Sequence, residues 1–254
     1  MTEDDGPESE RACRAALYMV PRALGGITAD VETSRIRPSL DADHPTTDFV
    51  VCFATRVEGE DLPRSVAGRS LALLRTGVGA VNAAFTLTRF LTEHRARAVL
   101  VCGVGGAYPG SGLRPGDVVC ADSETYGDLG TDSLEGFLDM EALGFPVIEE
   151  TLPLFNRLPV DLFPATCRVP FVTCATCTGT DRKAAALVAH TGGAVESREG
   201  AAVVQVARLM GVRVGEVRGI SNMVGDRVRK RWRVSESAAA ACAALVAWIE
   251  GEGC

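Results

Sequence analysis

Four apolar segments of strand length stop abruptly at small or polar residues, and this repeated ending constrains the fold more than any other feature of the chain. Phe49-Val-Val-Cys-Phe-Ala54 runs toward Glu58, and Ser70 to Thr76 stops at Gly77-Val-Gly79. Ala98 to Cys102 stops at Gly103-Val-Gly-Gly106, and Val212 to Ile220 leads into Ser221-Asn222. Continuous rather than alternating apolar runs are what strands buried on both faces require. Asp117 to Ala121 and Phe171 to Cys174 read as two further strands.

Helical periodicity fills the intervals. Val81, Ala84, Leu87, Phe90 and Leu91 recur at the spacing of one helix face. Asp181 to His190 reads as a second helix with Gly193 marking its end, and Glu199 to Leu209 as a third. The last helix places Ala238, Ala241, Cys242, Leu245, Trp248 and Ile249 on one stripe, with Ser235 as its expected cap. Strand and helix alternate, which predicts a single-domain α/β fold with a mixed, largely parallel central sheet flanked by helices. The catalytic domain is expected over residues 48–254. Residues 1–47 are acidic at the start, carry Pro38 and Pro45, and show no sustained period, so they read as an N-terminal extension, partly irregular.

Composition narrows the partners. A formal net charge of -7 argues against nucleic acid and against an anionic membrane surface. No apolar run approaches the roughly 18 residues a membrane span needs, and the Met-Thr-Glu-Asp-Asp start lacks the basic opening of a secretory signal. A cytoplasmic protein is the expectation. Nine scattered cysteines, an odd number, fit free buried thiols better than a disulfide framework.

In sheets of this kind ligands sit beyond the carboxyl ends of the strands. Gly103-Val-Gly-Gly106 invites a dinucleotide-binding reading, but Tyr108 occupies the third glycine position and Pro109-Gly-Ser-Gly112 leads to another strand instead of a helix. Cys174-Ala-Thr-Cys177 has neither a second ligand pair nor a helix start, so packed thiols are expected and no metal. His44, His94 and His190 have no nucleophile partner in any recognised pattern. The acids are richer: Glu58 past the first strand, Glu196 and Glu199 ahead of Gly200-Ala-Ala202, and Asp226 four residues after Asn222. Each alone reads as a capping or solvated acid; together at strand ends they suggest a site.

Read together, Gly103-Val-Gly-Gly-Ala-Tyr-Pro-Gly-Ser-Gly-Leu-Arg-Pro-Gly-Asp-Val-Val119, Glu124-Thr-Tyr-Gly-Asp-Leu-Gly130, Leu143-Gly-Phe-Pro146, Glu199-Gly-Ala-Ala202 and Arg218-Gly-Ile-Ser-Asn-Met-Val-Gly-Asp226 form a pattern. With Glu135-Gly-Phe137 it resembles the purine nucleoside phosphorylase and methylthioadenosine nucleosidase superfamily. Within it the likeness is to the futalosine hydrolases of the alternative menaquinone pathway, over about residues 49–250.

The resemblance implies cleavage of an N-ribosidic bond through an oxocarbenium-like transition state, without cofactor or metal, in a homo-oligomer acting on a small-molecule nucleoside. It assigns Glu58 as the general base for water, with Glu60 and Asp61 as alternatives in a loosely matching segment. Glu199 would hold the ribose hydroxyls, and Arg218 would help place the water and the acid. Val78, Val104, Gly105, Gly106, Thr176, Cys177 and Asp226 are expected around the substrate. Asn222 stands where adenine-cleaving members carry Asp; an amide that accepts at one end and donates at the other suits the N7 and O6 edge of hypoxanthine. Val101 and Val104 replace the phosphate-binding residues of the phosphorylases, which favours water as nucleophile, while Thr76 and the amides of Gly77 to Gly79 leave room for an anion. Arg198 departs from the Met expected before the ribose-binding Glu; under the alternative of a relative acting on a different nucleoside in specialised metabolism, it would read an extra anionic group. The run Arg227-Val-Arg-Lys-Arg-Trp232 fits either a substrate carboxylate or a solvated turn. Phosphorolysis, action on a different nucleoside, and a non-catalytic nucleoside-binding role stay open as alternatives.

Overall fold

The run from Phe49 becomes β1 (Thr46–Phe53), the strand around which the rest of the sheet is laid. The structure, a computed structural model, describes residues 44–134, 136–225 and 232–251. Most of the expected extension therefore lies outside the described residues, as does Asp226. β1 itself opens two residues ahead of position 48.

β1 pairs in parallel with β3 (Arg69–Arg75) on one side and β4 (Arg95–Ala107) on the other. β2 (Ser65–Val66) adds a short antiparallel edge to β3. Beyond β4 come β11 (Arg213–Met223, parallel), β5 (Val118–Tyr126, antiparallel to β11), β9 (Arg168–Thr173) and β10 (Val195–Ser197). β8 (Arg157–Pro159) pairs with β5. The nine-stranded sheet is mixed, as expected, and β10 also pairs antiparallel with the far end of β4, so strands β4, β11, β5, β9 and β10 close on themselves.

That closure depends on β4 running 13 residues, well past the expected end at Cys102. Gly103, Gly105 and Gly106 carry no strand signal of their own, yet a Cβ on Gly105 would stand 2.6 Å from Val195 Cγ1 and one on Gly106 2.8 Å from Val224 Cγ2. Glycine lets β10 and the chain after β11 approach this closely.

Helices α2 (Ala80–Glu93) and α5 (Gly200–Leu209) cover one face, and α6 (Val234–Gly251) the other. α4 (Asp181–Thr191) packs Ala184 and Leu187 on Tyr108, Val172 and Cys174. Its left-handed terminator is Gly192, one residue before the expected Gly193, because the αL turn, closed by Gly192 N–H on Val188 O, falls directly after Thr191. α6 starts at Val234, so Ser235 lies within the first turn rather than capping it. α6 is also long and apolar enough to span a membrane by length and composition, contrary to the sequence expectation; Ala238, Ala241, Cys242, Leu245 and Ile249 are buried in the core.

The short helix α1 (Arg56–Gly59), the hairpin β6–β7 (Gly130–Ser133 and Gly136–Asp139), the single turn α3 (Met140–Leu143) and a 3-10 turn (Ala165–Cys167) complete the elements of the described residues.

Candidate active site

The ends of β1, β3, β4, β10 and β11 surround a cavity of about 270 Å³. Glu58 enters it from α1, whose one turn begins directly after β1. Its carboxylate is buried at 4% exposure and fixed at both oxygens. Oε2 accepts from the backbone N–H and the hydroxyl of Thr55, each at 2.8 Å, and Oε1 accepts from Val104 N–H at 3.1 Å. Glu60 and Asp61, the alternatives, are exposed, and Glu60 pairs with Arg56.

Arg218 arrives from the middle of β11, opposite Gly103 of β4, and is 1% exposed. Nε donates to Glu216 Oε1 at 2.7 Å and Nη1 to Val104 O at 3.2 Å. Glu58 Oε1 and Glu199 Oε2 each stand 3.8 Å from a terminal nitrogen. Nη2 is buried with no hydrogen-bond partner among the described residues. Burial alone would lower the guanidinium's affinity for its proton, but Glu216, Glu199 and Glu58 outweigh it and hold the group charged beyond its ordinary range. Breaking such an enclosed arrangement from one side leaves an uncompensated charge, which costs on the order of 3–5 kcal/mol.

Glu199 caps α5, and its Oε1 accepts from Gly79 N–H at 2.9 Å. Gly79 has φ 99°, a conformation that aims the amide inward and that other residues rarely adopt. Burial raises the Glu199 pKa, opposed by the Arg218 charge and the Gly79 amide. The Gly79 amide and the Thr76 hydroxyl, which bonds Phe53 O and Gly77 O, are thus engaged within the protein. A carboxylate occupies the ground on which the sequence left room for an anion.

Asn222 is half-buried on the opposite wall. Its Oδ1 lies 2.8 Å from Ser221 Oγ, a hydroxyl shared with Gly105 O, and its Nδ2 donates to Met223 O at 2.9 Å. Turning the amide over would set Nδ2 against the serine and oxygen against oxygen at Met223, so one orientation is held. A Cβ on Gly106 would come within 3.2 Å of that Nδ2; glycine keeps this floor open.

Of the remaining expected residues, Val78, Val104, Gly105, Cys177 and Arg198 line the cavity. Thr176 does not: it is exposed, and its amide, with that of Ala175, turns outward to Asp128. Thr178, two residues on, faces inward instead. Arg198 directs its terminal nitrogens at Cys177 Sγ and Ala175 O, so it pins the 175–178 segment to the wall. The Cys-x-x-Cys pair is divided: Cys174 is buried, its thiol pushed up to about 12 by desolvation, while Cys177 faces the cavity. Trp232, the last residue of the basic run and the one member described, also lines it.

Glu124 and Glu216 beneath the site carried no such role in the sequence reading, while Glu196, singled out there among the strand-end acids, holds the wall together. Glu196 accepts from Thr178 N–H at 2.9 Å and Tyr108 hydroxyl at 2.8 Å, fixing the wall between β10 and the 175–178 segment. Glu124 and Glu216 are fully buried below Arg218. The usable signal was a pair of acids inside otherwise apolar strands.

Comparison with known proteins agrees with this geometry. The family model described as "Phosphorylase superfamily" matches residues 64–250. The chain is 33% identical over 199 residues to the futalosine hydrolase of Thermus thermophilus, covering 75% of this chain and 86% of that one. It is 35% identical over 176 residues to the futalosine hydrolase of Streptomyces coelicolor, covering 66% and 74%. Among solved structures, the 5'-methylthioadenosine/S-adenosylhomocysteine nucleosidase of Neisseria meningitidis, in complex with methylthio-immucillin-A, superposes with a TM-score of 0.67 at 18% identity. The match covers 81% of this chain and 99% of that one. A fold shared this completely, with a family match over most of the chain, makes this protein a member of the phosphorylase superfamily, related in sequence to its futalosine hydrolases.

Proposed function

We propose that this protein hydrolyses the N-ribosidic bond of a 6-oxopurine nucleoside, with futalosine as substrate and hypoxanthine as the released base, as a step of menaquinone biosynthesis. The observation that carries the reading is the Asn222 amide, held in one orientation by Ser221 and Met223 at the wall facing the Glu58–Arg218–Glu199 group. In that orientation Nδ2 donates its second hydrogen to O6, and once the departing base takes a proton from solvent at N7, Oδ1 accepts from that N7–H. A 6-aminopurine would bring an N–H toward Nδ2 and leave both groups unpaired, the kind of mismatch that discriminates strongly.

Glu58 takes the proton from water, with its carboxylate held by Thr55 and Val104. Arg218 Nη2, otherwise unpartnered, orients that water. Glu199 accepts from the ribose hydroxyls, and its charge favours the cationic ring that develops. Hydrolysis rather than phosphorolysis is supported by the engagement of Gly79 N–H by Glu199, since a phosphate there would meet a carboxylate instead of free donors. Val78, which lines the cavity, is 50% exposed, and Val81 and Phe85, one turn apart on α2, are 83% and 67% exposed; these apolar side chains support a homo-oligomer. The acidic balance fits a cytoplasmic enzyme of small nucleosides.

The test is to incubate the protein with futalosine, aminofutalosine, inosine and methylthioadenosine, with and without phosphate, and to identify both products. Hypoxanthine and a free sugar, at a rate independent of phosphate, are expected from futalosine. A sugar 1-phosphate, or base release from adenine nucleosides alone, overturns the reading.

A further inference from the structure

Below the Arg218 guanidinium two carboxyl groups face each other with no cation between them. Glu124 is in β5 and Glu216 in β11, and both are 0% exposed. A Cβ placed on Gly200 would collide with Glu124 Oε1 and lie 2.6 Å from Glu216 Oε2, so the two oxygens converge on the space that this glycine leaves. Glu216 Oε1 is taken by Arg218 Nε, but its Oε2 has no hydrogen-bond partner among the described residues. Glu124 Oε2 accepts from the Thr173 hydroxyl at 2.8 Å and Oε1 from the Ser197 hydroxyl at 3.2 Å. Those hydroxyls are themselves oriented by α5, through Ala201 N–H on Thr173 and Gly200 N–H on Ser197.

Two ionised carboxylates so placed would repel in a medium that screens little, and Glu216 would keep a bare oxygen in the interior. One hydrogen cures both defects. We propose that Glu124 and Glu216 share a single proton, carried on Glu124 Oε1 and donated to Glu216 Oε2, and that this pair positions Arg218 for the reaction. Glu124 supplies the neutral acid, and Glu216 keeps the charge that bonds Arg218 Nε. Because Glu216 is fixed at both ends, the guanidinium plane is fixed too, with Nη2 set beside Glu199 Oε2 at 3.8 Å. Neither acid touches substrate; both are positioning residues. The proposal rests on the reading of Arg218 given above.

The charged and titratable groups around the pair bear on which acid keeps the proton. Arg218 on β11, Glu199 ahead of α5 and Tyr126 on β5 interact with it, and Glu58 on α1 acts on Arg218 and Glu199; among the described residues β9 and β10 contribute the hydroxyls of Thr173 and Ser197. Arg218 bonds Glu216 directly, which assigns the charge to Glu216 and the proton to Glu124. Burial first, then the Glu216 charge, moves the Glu124 carboxyl well above the carboxylate range, in the same direction as the geometry.

The test joins infrared spectroscopy to kinetics on the purified enzyme. At mildly alkaline pH, where ordinary carboxyls are ionised, the wild type is expected to show the carbonyl stretch of a protonated carboxylic acid. That band is expected to vanish in Glu124→Gln and persist in Glu58→Gln. Glu124→Gln, which still donates to Glu216, is expected to retain kcat within about threefold and to hold it at alkaline pH, where loss of the shared proton is expected to lower that of the wild type, whereas Glu124→Leu loses activity. Glu216→Gln should lower kcat about tenfold with KM little changed, since the bond to Arg218 is no longer charge-assisted at both ends. No protonated-carboxyl band in the wild type, a band that survives Glu124→Gln, or equal losses in Glu124→Gln and Glu124→Leu would each overturn the proposal. The band requires no substrate and is read on the wild type even if a variant does not fold. An enzyme that shows it but cleaves no 6-oxopurine nucleoside separates failure of the functional reading from failure of this one.

Discussion

Glu58 Oε1 accepts a hydrogen bond from the backbone of Val104 at 3.1 Å, which ties the candidate base to the strand that forms the cavity floor. The same β4 segment receives Arg218 Nη1 at Val104 O. The backbone of one residue therefore fixes an acid and a cation that stand 160 residues apart in the chain. With both oxygens held, the carboxylate loses little freedom when water docks against it.

Glu58→Gln should lower kcat by roughly 10²–10⁴, the usual worth of general-base catalysis. Its amide would also turn an NH₂ toward either Thr55 or Val104, whose N–H groups need acceptors. Steady-state base release checks this, with substrate binding measured by calorimetry in parallel. Wild-type turnover in this variant would move the base elsewhere.

Gly103→Ala separates packing from chemistry. The added Cβ would stand 2.5 Å from Glu58 Oε1 and 2.9 Å from Arg218 Nη1, closer than either charged group can tolerate. We expect a folded protein with kcat reduced by about tenfold or more, because a displacement of about 1 Å at reacting groups costs that much or more. Circular dichroism and kcat together decide it, and unimpaired turnover would show that the two groups need not stay in register.

The buried Glu124 carboxyl has a definite consequence for stability. Its folded pKa lies well above the ordinary 4.5, so the folded state holds a proton that the unfolded chain releases. The stabilisation is complete below that ordinary value and declines as pH rises from it through the raised folded value. Melting temperature should therefore fall with pH across that window in the wild type, and fall less in Glu124→Gln. Equal slopes would mean that Glu124 titrates alike in both states.

Arg198→Met should leave kcat nearly unchanged and raise KM a few-fold for every nucleoside. The guanidinium anchors Ala175 and Cys177, and its Nε is buried without a partner, so loss of the group loosens a wall while removing an unsatisfied donor. KM values for futalosine and inosine compare the two roles. A loss confined to futalosine would place the guanidinium on the substrate's carboxylate.

What the sequence disclosed and what it hid follow from physical range. β1, β3, α2, β9, α5, β11 and α6 carry enough apolar residues in a fixed period for that period to show. α1 is a single turn, β10 has three residues, and the β6 strand is exposed throughout, so none of them has a period to read. The distal half of β4 is written in glycine, which has no strand preference and is needed because Glu58, Arg218, β10, Asn222 and Val224 approach it. Glu58, Glu199, Arg218 and Asn222 were legible because they sit at strand ends or inside a family motif. Glu124 and Glu216 were not: their partners come from β9, β10 and β11, and local spacing cannot express a contact that the sheet creates. Thr176 was misplaced by two residues at a turn, where side-chain direction is set by the bonds to Asp128 and not by alternation.

Base discrimination is the most direct test of the account. It is read as the ratio of kcat/KM for futalosine over aminofutalosine, which differ at the purine 6-position, in the wild type and in Asn222→Asp. The account predicts a wild-type ratio well above unity that falls by about tenfold or more in the variant, since one mispaired buried polar group costs about 1–3 kcal/mol. A wild-type preference for the 6-aminopurine, or a ratio unmoved by Asn222→Asp, would contradict it.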